Sequence, residues 1–342
     1  MKNIIHITAL SIAITTSAAY AAEDATGLAK LAINDTRTDR PLEGFIWYPT
    51  AATDGAAVHH TNPVWKGITA VEGAVPAPGK YPLVVLSHGM YGNAMNQTWL
   101  ADALVAKGYI VAAINHPGTS TWARDPAQAR QMWDRPNDIS RVIDHALDDP
   151  AWKDLIDPDR IFMAGHSLGG YTAVALAGGR YDAAGFEAFC AARTDRELVC
   201  GIFDDWQIAK TPEDILSMQA DVSDDRIKGF AVFDLGGTQT FSKASLALIN
   251  SPMLVMGAPL DISGLDLDIE SRALVDALPQ SNVTYLEPES LSHFDFLSEC
   301  KPGAIEILAQ EEPGDEIICK DGGAVRADDH ALIVDAVLNA FD

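Results

Sequence analysis

Two uninterrupted apolar runs, Pro82-Leu-Val-Val-Leu-Ser87 and Tyr109-Ile-Val-Ala-Ala-Ile114, constrain this chain more than any other feature. A strand with one wet face alternates apolar and polar residues. A strand without that alternation must be covered on both faces, as in a parallel sheet sandwiched between helices. Arg160-Ile-Phe-Met-Ala164, Ile227 to Leu235 and Pro252 to Met256 have the same character. Helical patterns stand between them: Trp99 to Lys107 with Gly108 as its stop, Asp138 to Leu147, and Tyr171 to Ala177. Leu28 to Asn34 and Gly44 to Tyr48 are expected to open the sheet as an antiparallel pair. The order predicts an α/β fold, a mostly parallel central sheet with right-handed crossovers and helices on both faces. Two stretches break the rhythm. Residues 51–80, rich in Gly, Ala and Pro, are expected to form a long surface loop. Residues 178–226 are expected to be an insertion before the sixth strand, lying over the carboxyl end of the sheet.

The amino terminus has the three-part layout of a secretory signal peptide: Lys2, an apolar run from Ile4 to about Ile14, and the small-residue site Ala19-Tyr20-Ala21. The expected organisation is a leader over residues 1–21 and a single domain over 22–342, released into the periplasm or the medium. The apolar run of the leader is too short to span a bilayer, and no later stretch has the roughly twenty unbroken apolar residues of a membrane span. Four cysteines, Cys190, Cys200, Cys300 and Cys319, form an even set in a chain bound for an oxidising compartment, which favours disulfides over metal ligation. Of the three possible pairings, Cys190–Cys200 and Cys300–Cys319 are expected, because each closes a short polar loop. A net charge of −24, with 48 acidic against 24 basic residues, argues against nucleic-acid partners. The sequence holds no metal-ligand pattern and no dinucleotide fingerprint, so neither metal nor cofactor is expected.

The chemistry centres on Gly165-His166-Ser167-Leu168-Gly169, a G-x-S-x-G motif between a predicted strand and a predicted helix. A serine hydroxyl is a weak nucleophile. It must project from a tight turn toward a base, and flanking glycines let the backbone turn without clashes. The base follows it in the chain, which leaves His293 and His330. His293 lies in the polar turn Leu291-Ser-His-Phe-Asp295, whereas His330 falls in an amphipathic terminal helix, so His293 is the expected base. The acid is expected after the strand Met253-Leu-Val-Met-Gly257, where Asp261 is the first carboxylate and Asp266 and Asp268 follow closely. Oxyanion donors are expected from the backbone N–H groups of Leu168, just after the nucleophile, and Met90, in the turn His88-Gly-Met-Tyr-Gly-Asn93. Tyr91, Trp122 and the Leu235 to Phe241 turn are expected to border the substrate, with Phe203 and Trp206 of the insertion above it.

The series Leu86-Ser-His-Gly-Met90, Asn115-His-Pro-Gly118, Met132-Trp-Asp-Arg-Pro136 with Asp138, Gly165-His-Ser-Leu-Gly-Gly170 and Ser292-His-Phe-Asp-Phe296 resembles a bacterial family within the α/β-hydrolase superfamily. These are exported proteins often called predicted dienelactone hydrolases, related to platelet-activating-factor acetylhydrolases. The likeness runs from about Leu42 to Phe341. It implies the α/β-hydrolase fold, Ser167 as nucleophile, His293 as base, Met90 and Leu168 as oxyanion donors, and a preference for short or oxidised acyl chains. True dienelactone hydrolases use a cysteine where this chain has Ser167, and the family acid stands three residues after the strand-ending glycine, where Asp261 stands four after Gly257. The expected activity is hydrolysis of carboxylic esters through an acyl-enzyme. The same triad would serve a peptidase or amidase, and a fold that had lost catalysis would leave a binding protein.

Overall fold

The computed structural model describes residues 25–34, 38–193, 197–261 and 263–342; the expected leader lies outside the described residues. Twelve strands are described: β1 (Ala25–Ile33), β2 (Leu42–Thr50), β3 (Ala57–His59), β4 (Ile68–Glu72), β5 (Tyr81–Ser87), β6 (Ile110–Asn115), β7 (Thr119–Ser120), β8 (Ala123–Arg124), β9 (Ile156–His166), β10 (Ile227–Phe233), β11 (Met253–Met256) and β12 (Val283–Leu286). Ten form one sheet in the order β12-β11-β10-β9-β5-β6-β2-β1-β4-β3, while β7 and β8 make a separate hairpin. From β12 to β6 every neighbouring pair is parallel. The antiparallel pairing of β2 with both β6 and β1 turns the sheet over at its amino-terminal side.

The apolar runs occupy the middle of the sheet because both of their faces are covered. Along β5, Leu83 and Val85 enter one core layer and Val84 and Leu86 the other. The alternation repeats in β6, β9 and β10, where Ile161 and Met163 face one layer and Phe162 and Ala164 the other. Helix Asp134–Asp148 covers the first layer through Ile139, Val142 and Ile143. Helices Thr98–Val105 and Arg326–Phe341 cover the second through Leu100, Leu104, Ile333 and Val337. Each side chain so buried contributes about 1.5–3 kcal/mol relative to exposure.

Residues 51–80 are more than the expected loop, since β3 and β4 extend the sheet at its edge. Both are short, and only β4 buries apolar residues, Ile68, Ala70 and Val71, so composition hid them. Together with β7 and β8 they make the strand expected sixth the tenth in the chain. Residues 178–226 carry three helices, Ala183–Ala191, Leu198–Asp205 and Pro212–Gln219.

Both disulfides join the local pairs, Cys190 to Cys200 and Cys300 to Cys319. The first ties helix Ala183–Ala191 to helix Leu198–Asp205. The second closes a small satellite cluster of Ala304, Leu308 and Cys319 with Val64 and Ile318, separate from the two main layers. This cluster has little core of its own, and the bridge is worth about 3 kcal/mol on the chain-entropy model. In Cys300→Ser with Cys319→Ser, amide exchange is expected to quicken first in helix Ala304–Glu311 while β5 and β9 stay protected; hydrogen-exchange mass spectrometry reads the order.

Candidate active site

Ser167 stands between the last residue of β9 and the helix Leu168–Leu176, with φ 54° and ψ −118°. That backbone conformation is costly for a residue with a side chain and persists only where its surroundings enforce it. Here they do. A Cβ on Gly165 would lie 2.0 Å from the Gly169 carbonyl oxygen, and one on Gly169 would lie 1.9 Å from that of Ser87. The Ser167 N–H donates to the Phe233 carbonyl at 2.9 Å, tying the turn to the end of β10.

His293 opens a short 3-10 turn, His293–Phe296, in which Ser292 and Asp295 form a capping box. Asp295 is fully buried and faces Arg326, whose Nε lies 3.4 Å from its Oδ1. The same carboxylate accepts from the Ser292 N–H at 2.7 Å and the Gly322 N–H at 3.1 Å. His166 adds a hydrogen bond from Nε2 to the His293 carbonyl at 2.8 Å, and burial holds its imidazole well below the usual histidine range, hence neutral.

The carboxylate that meets His293 is Asp234, not Asp261. His293 Nδ1–H donates to Asp234 Oδ2 at 2.6 Å, which leaves Nε2 to face away as the proton acceptor. Asp234 Oδ1 accepts the Ala258 N–H at 3.0 Å, so both oxygens of this buried group are engaged. Asp261 is exposed and accepts the Gly264 N–H at 2.8 Å within its own loop. Asp266 accepts from the Asp268 N–H, and Asp268 pairs with Arg272, so neither replaces it. The physical reason is position in the sheet. Asp234 directly follows β10, the neighbour of β9, whereas Asp261 follows β11, one strand further from the serine. The reading of Ile227 to Leu235 as one strand absorbed Asp234. A carboxylate in a continuous apolar run was the available signal, because a buried charge requires a partner.

His330 meets the His293 turn from behind rather than Ser167 or Asp234: it stacks on Trp99 at 3.6 Å and its Nε2 lies 3.0 Å from the Asp295 carbonyl oxygen. The Met90 and Leu168 amides make no hydrogen bond to another described residue. Gly89 packs so near the nucleophile that a Cβ there would sit 3.1 Å from Ser167 Cβ. Ser167, Leu168, His293 and Met90 line one cavity of about 820 Å³. Tyr91, Trp122, Phe203, Trp206 and Gly237 line it too, and Trp206 Nε1–H donates to the Tyr91 hydroxyl at 3.2 Å. Val64, Leu308 and Ile318, from the satellite cluster, form with Trp65 a wall that the sequence did not announce. Below the loop that follows Asp234, the buried Glu270 carboxyl accepts the N–H groups of Gly237 and Thr238, each at 2.8 Å. Burial pushes it up to about 8.

This sheet, with a serine on the turn after β9 and a histidine–carboxylate pair across the neighbouring strand ends, is the α/β-hydrolase fold. The comparisons agree. A ferulic acid esterase from Streptomyces cinnamoneus superposes with a TM-score of 0.63 at 22% identity, over 95% of this chain and 91% of that one. The family model for serine aminopeptidase, S33, matches residues 80–194. Cutinase est2 of Thermobifida alba is 30% identical over 105 residues, 30% of this chain; the chain spans only 32% of that relative's length.

Two predictions separate the carboxylates and test the loop. Asp234→Asn is expected to lower kcat by on the order of 10⁴, the loss seen when a triad acid no longer fixes the tautomer, whereas Asp261→Asn leaves it unchanged; steady-state kinetics decide. Glu270 keeps in the folded state a proton that the unfolded chain releases near 4.5, so its contribution to stability is full below that pH and lost as pH rises through about 8. The melting temperature of Glu270→Gln is therefore expected to fall less than the wild type's between pH 5 and pH 8.

Proposed function

We infer that the protein is a carboxylic ester hydrolase working through Ser167, His293 and Asp234. The observation that carries this is the 2.6 Å contact between His293 Nδ1 and Asp234 in a cavity that also holds the turn-borne Ser167. Ser167 Oγ attacks the ester carbonyl while His293 Nε2 takes its proton, and Asp234 stabilises the imidazolium. The Met90 and Leu168 N–H groups receive the oxyanion. His293 then protonates the leaving alkoxide. Water, activated by the same base, attacks the acyl-serine and releases the acid. The motifs shared with the exported dienelactone-hydrolase-like proteins support the serine and histidine assignments. The two disulfides and the leader-like amino terminus support a periplasmic or extracellular site of action.

The cavity lies near the upper end of the range that encloses drug-sized ligands. Its apolar walls carry Trp65, Met90, Leu198, Phe203 and Leu308. Space therefore does not impose the short-acyl preference that the resemblance implies. A second reading, removal of an amino-terminal residue from peptides, is favoured by Glu312 and Asp315 on the cavity wall, which would attract an ammonium group, and by the description of the matching family.

Purified mature protein is expected to hydrolyse p-nitrophenyl acetate, butyrate and octanoate, with activity lost in Ser167→Ala. Turnover of aminoacyl p-nitroanilides above that of the esters would transfer the assignment to the peptidase reading.

A further inference from the structure

Ser87, His116 and Asp138 form a second serine–histidine–aspartate series outside the site just described. Ser87 Oγ lies 2.9 Å from His116 Nε2, and His116 Nδ1 lies 3.0 Å from Asp138 Oδ2. It is no second catalytic centre, because Ser87 and His116 are 0% exposed and Asp138 1%. Its hydrogen bonds lead instead to the turn that carries Met90. Asp138 accepts from Arg40 Nε at 2.8 Å and Nη2 at 2.9 Å, and with its oxygens placed as acceptors His116 keeps its proton on Nδ1. The His116 backbone N–H donates to His88 Nε2 at 3.1 Å. That bond consumes the acceptor nitrogen of His88 and places its proton on Nδ1. Burial and the neighbouring Arg135 hold the His88 imidazole well below the usual histidine range, so it is neutral. His88 Nδ1–H then donates to the Gly89 carbonyl at 2.7 Å.

The Gly89 carbonyl and the Met90 N–H belong to one peptide plane. In a trans peptide the two point in opposite directions, and no cis bond occurs among the described residues. Fixing the carbonyl toward His88 therefore fixes the N–H on the other side, and withdrawing electrons from the carbonyl oxygen strengthens that N–H as a donor. The Gly92 N–H, at 3.1 Å from the same oxygen, closes the turn. Arg135 holds the preceding plane, donating from Nη2 to the His88 carbonyl at 2.6 Å and from Nη1 to Thr119 Oγ1 at 2.5 Å.

We propose that His88 is a positioning residue of the oxyanion hole, orienting and polarising the Gly89–Met90 peptide through its Nδ1–H, with the Ser87–His116–Asp138 series beneath it as its anchor. The inference rests on the ester-hydrolase reading and on Met90 as an oxyanion donor.

The test compares His88→Leu with His88→Asn, two side chains of similar shape of which only asparagine has an N–H to offer the Gly89 carbonyl. Each is assayed on p-nitrophenyl butyrate, and butylboronic acid serves as the tetrahedral mimic. His88→Leu is expected to lower kcat by about 10- to 100-fold, somewhat less than loss of a whole oxyanion donor. KM should change little, and the inhibition constant of the boronic acid should rise in proportion to the loss in kcat. His88→Asn is expected to recover most of both. Equal losses in the two variants, or a boronate affinity that stays at the wild-type value while kcat falls, would overturn the proposal. If His88→Leu does not fold, His88→Ala takes its place in the same comparison. A wild type that neither hydrolyses the ester nor binds the boronic acid sinks the underlying reading, and this inference with it.

Discussion

The close approach of backbone to backbone around Ser167 sets the terms for the rest of the molecule. A left-handed φ at a serine costs on the order of 1–3 kcal/mol and must be enforced from outside. The enforcement comes from three adjacent strands: β9 supplies the turn, β5 presents the Ser87 carbonyl against Gly169, and β10 accepts the Ser167 N–H at Phe233. Their depth in the sheet, and the two apolar layers that cover it, are what make the enforcement possible. The layers do more than stabilise; they hold three strand ends in fixed register, so that a strained residue has nowhere to relax.

Around this apolar frame the functional turns are fastened by buried charge. Asp295 and Arg326 lie under the His293 turn, and Asp138 and Arg135 lie under the Met90 turn, each at most 2% exposed. Burying such groups is expensive, and well-packed apolar residues would often serve stability better. Among the described residues Arg135 contacts no carboxylate; its partners are the hydroxyls of Thr119, Thr172 and Ser87 and the His88 carbonyl. Burial lowers its pKa to about 9, so it remains cationic at neutral pH. A guanidinium fixes directions as an apolar side chain cannot, because its N–H groups leave it at set angles. The polar clusters are thus placed where orientation matters and absent from the centres of the layers.

How legible all this was in the sequence followed from how local each determinant is. Apolar runs gave β5, β6, β9 and β10, since double coverage leaves its mark on every residue of a strand. The G-x-S-x-G turn and the two disulfides were likewise readable from neighbours in the chain. β3 and β4 were not, being three and five residues long and bordered by Gly and Pro. The Val64–Trp65 wall was hidden for another reason: it meets Leu308 and Ile318 only through contacts spanning more than two hundred positions, and no local pattern encodes them. The carboxylate partner of His293 was missed for a different reason. Chain order was respected, Ser167 then Asp234 then His293, but order alone does not choose between two successive strand ends.

The choice of strand has consequences for the pocket. With the partner of His293 just after β10, the segment after β11 is released from holding the imidazole, and its Ala258 N–H serves the carboxylate. Its further residues Ser263 and Leu265 line the cavity instead. Leu265 also packs near the loop after Asp234, where a Cβ on Gly236 would meet it at 3.1 Å. One strand end thus fixes the imidazole while the next shapes the space beside it. A loop that carried the partner of His293 could not change its cavity contacts without moving the imidazole; here Ser263 and Leu265 can vary while Asp234, held by the Ala258 N–H from one side and His293 from the other, stays in place.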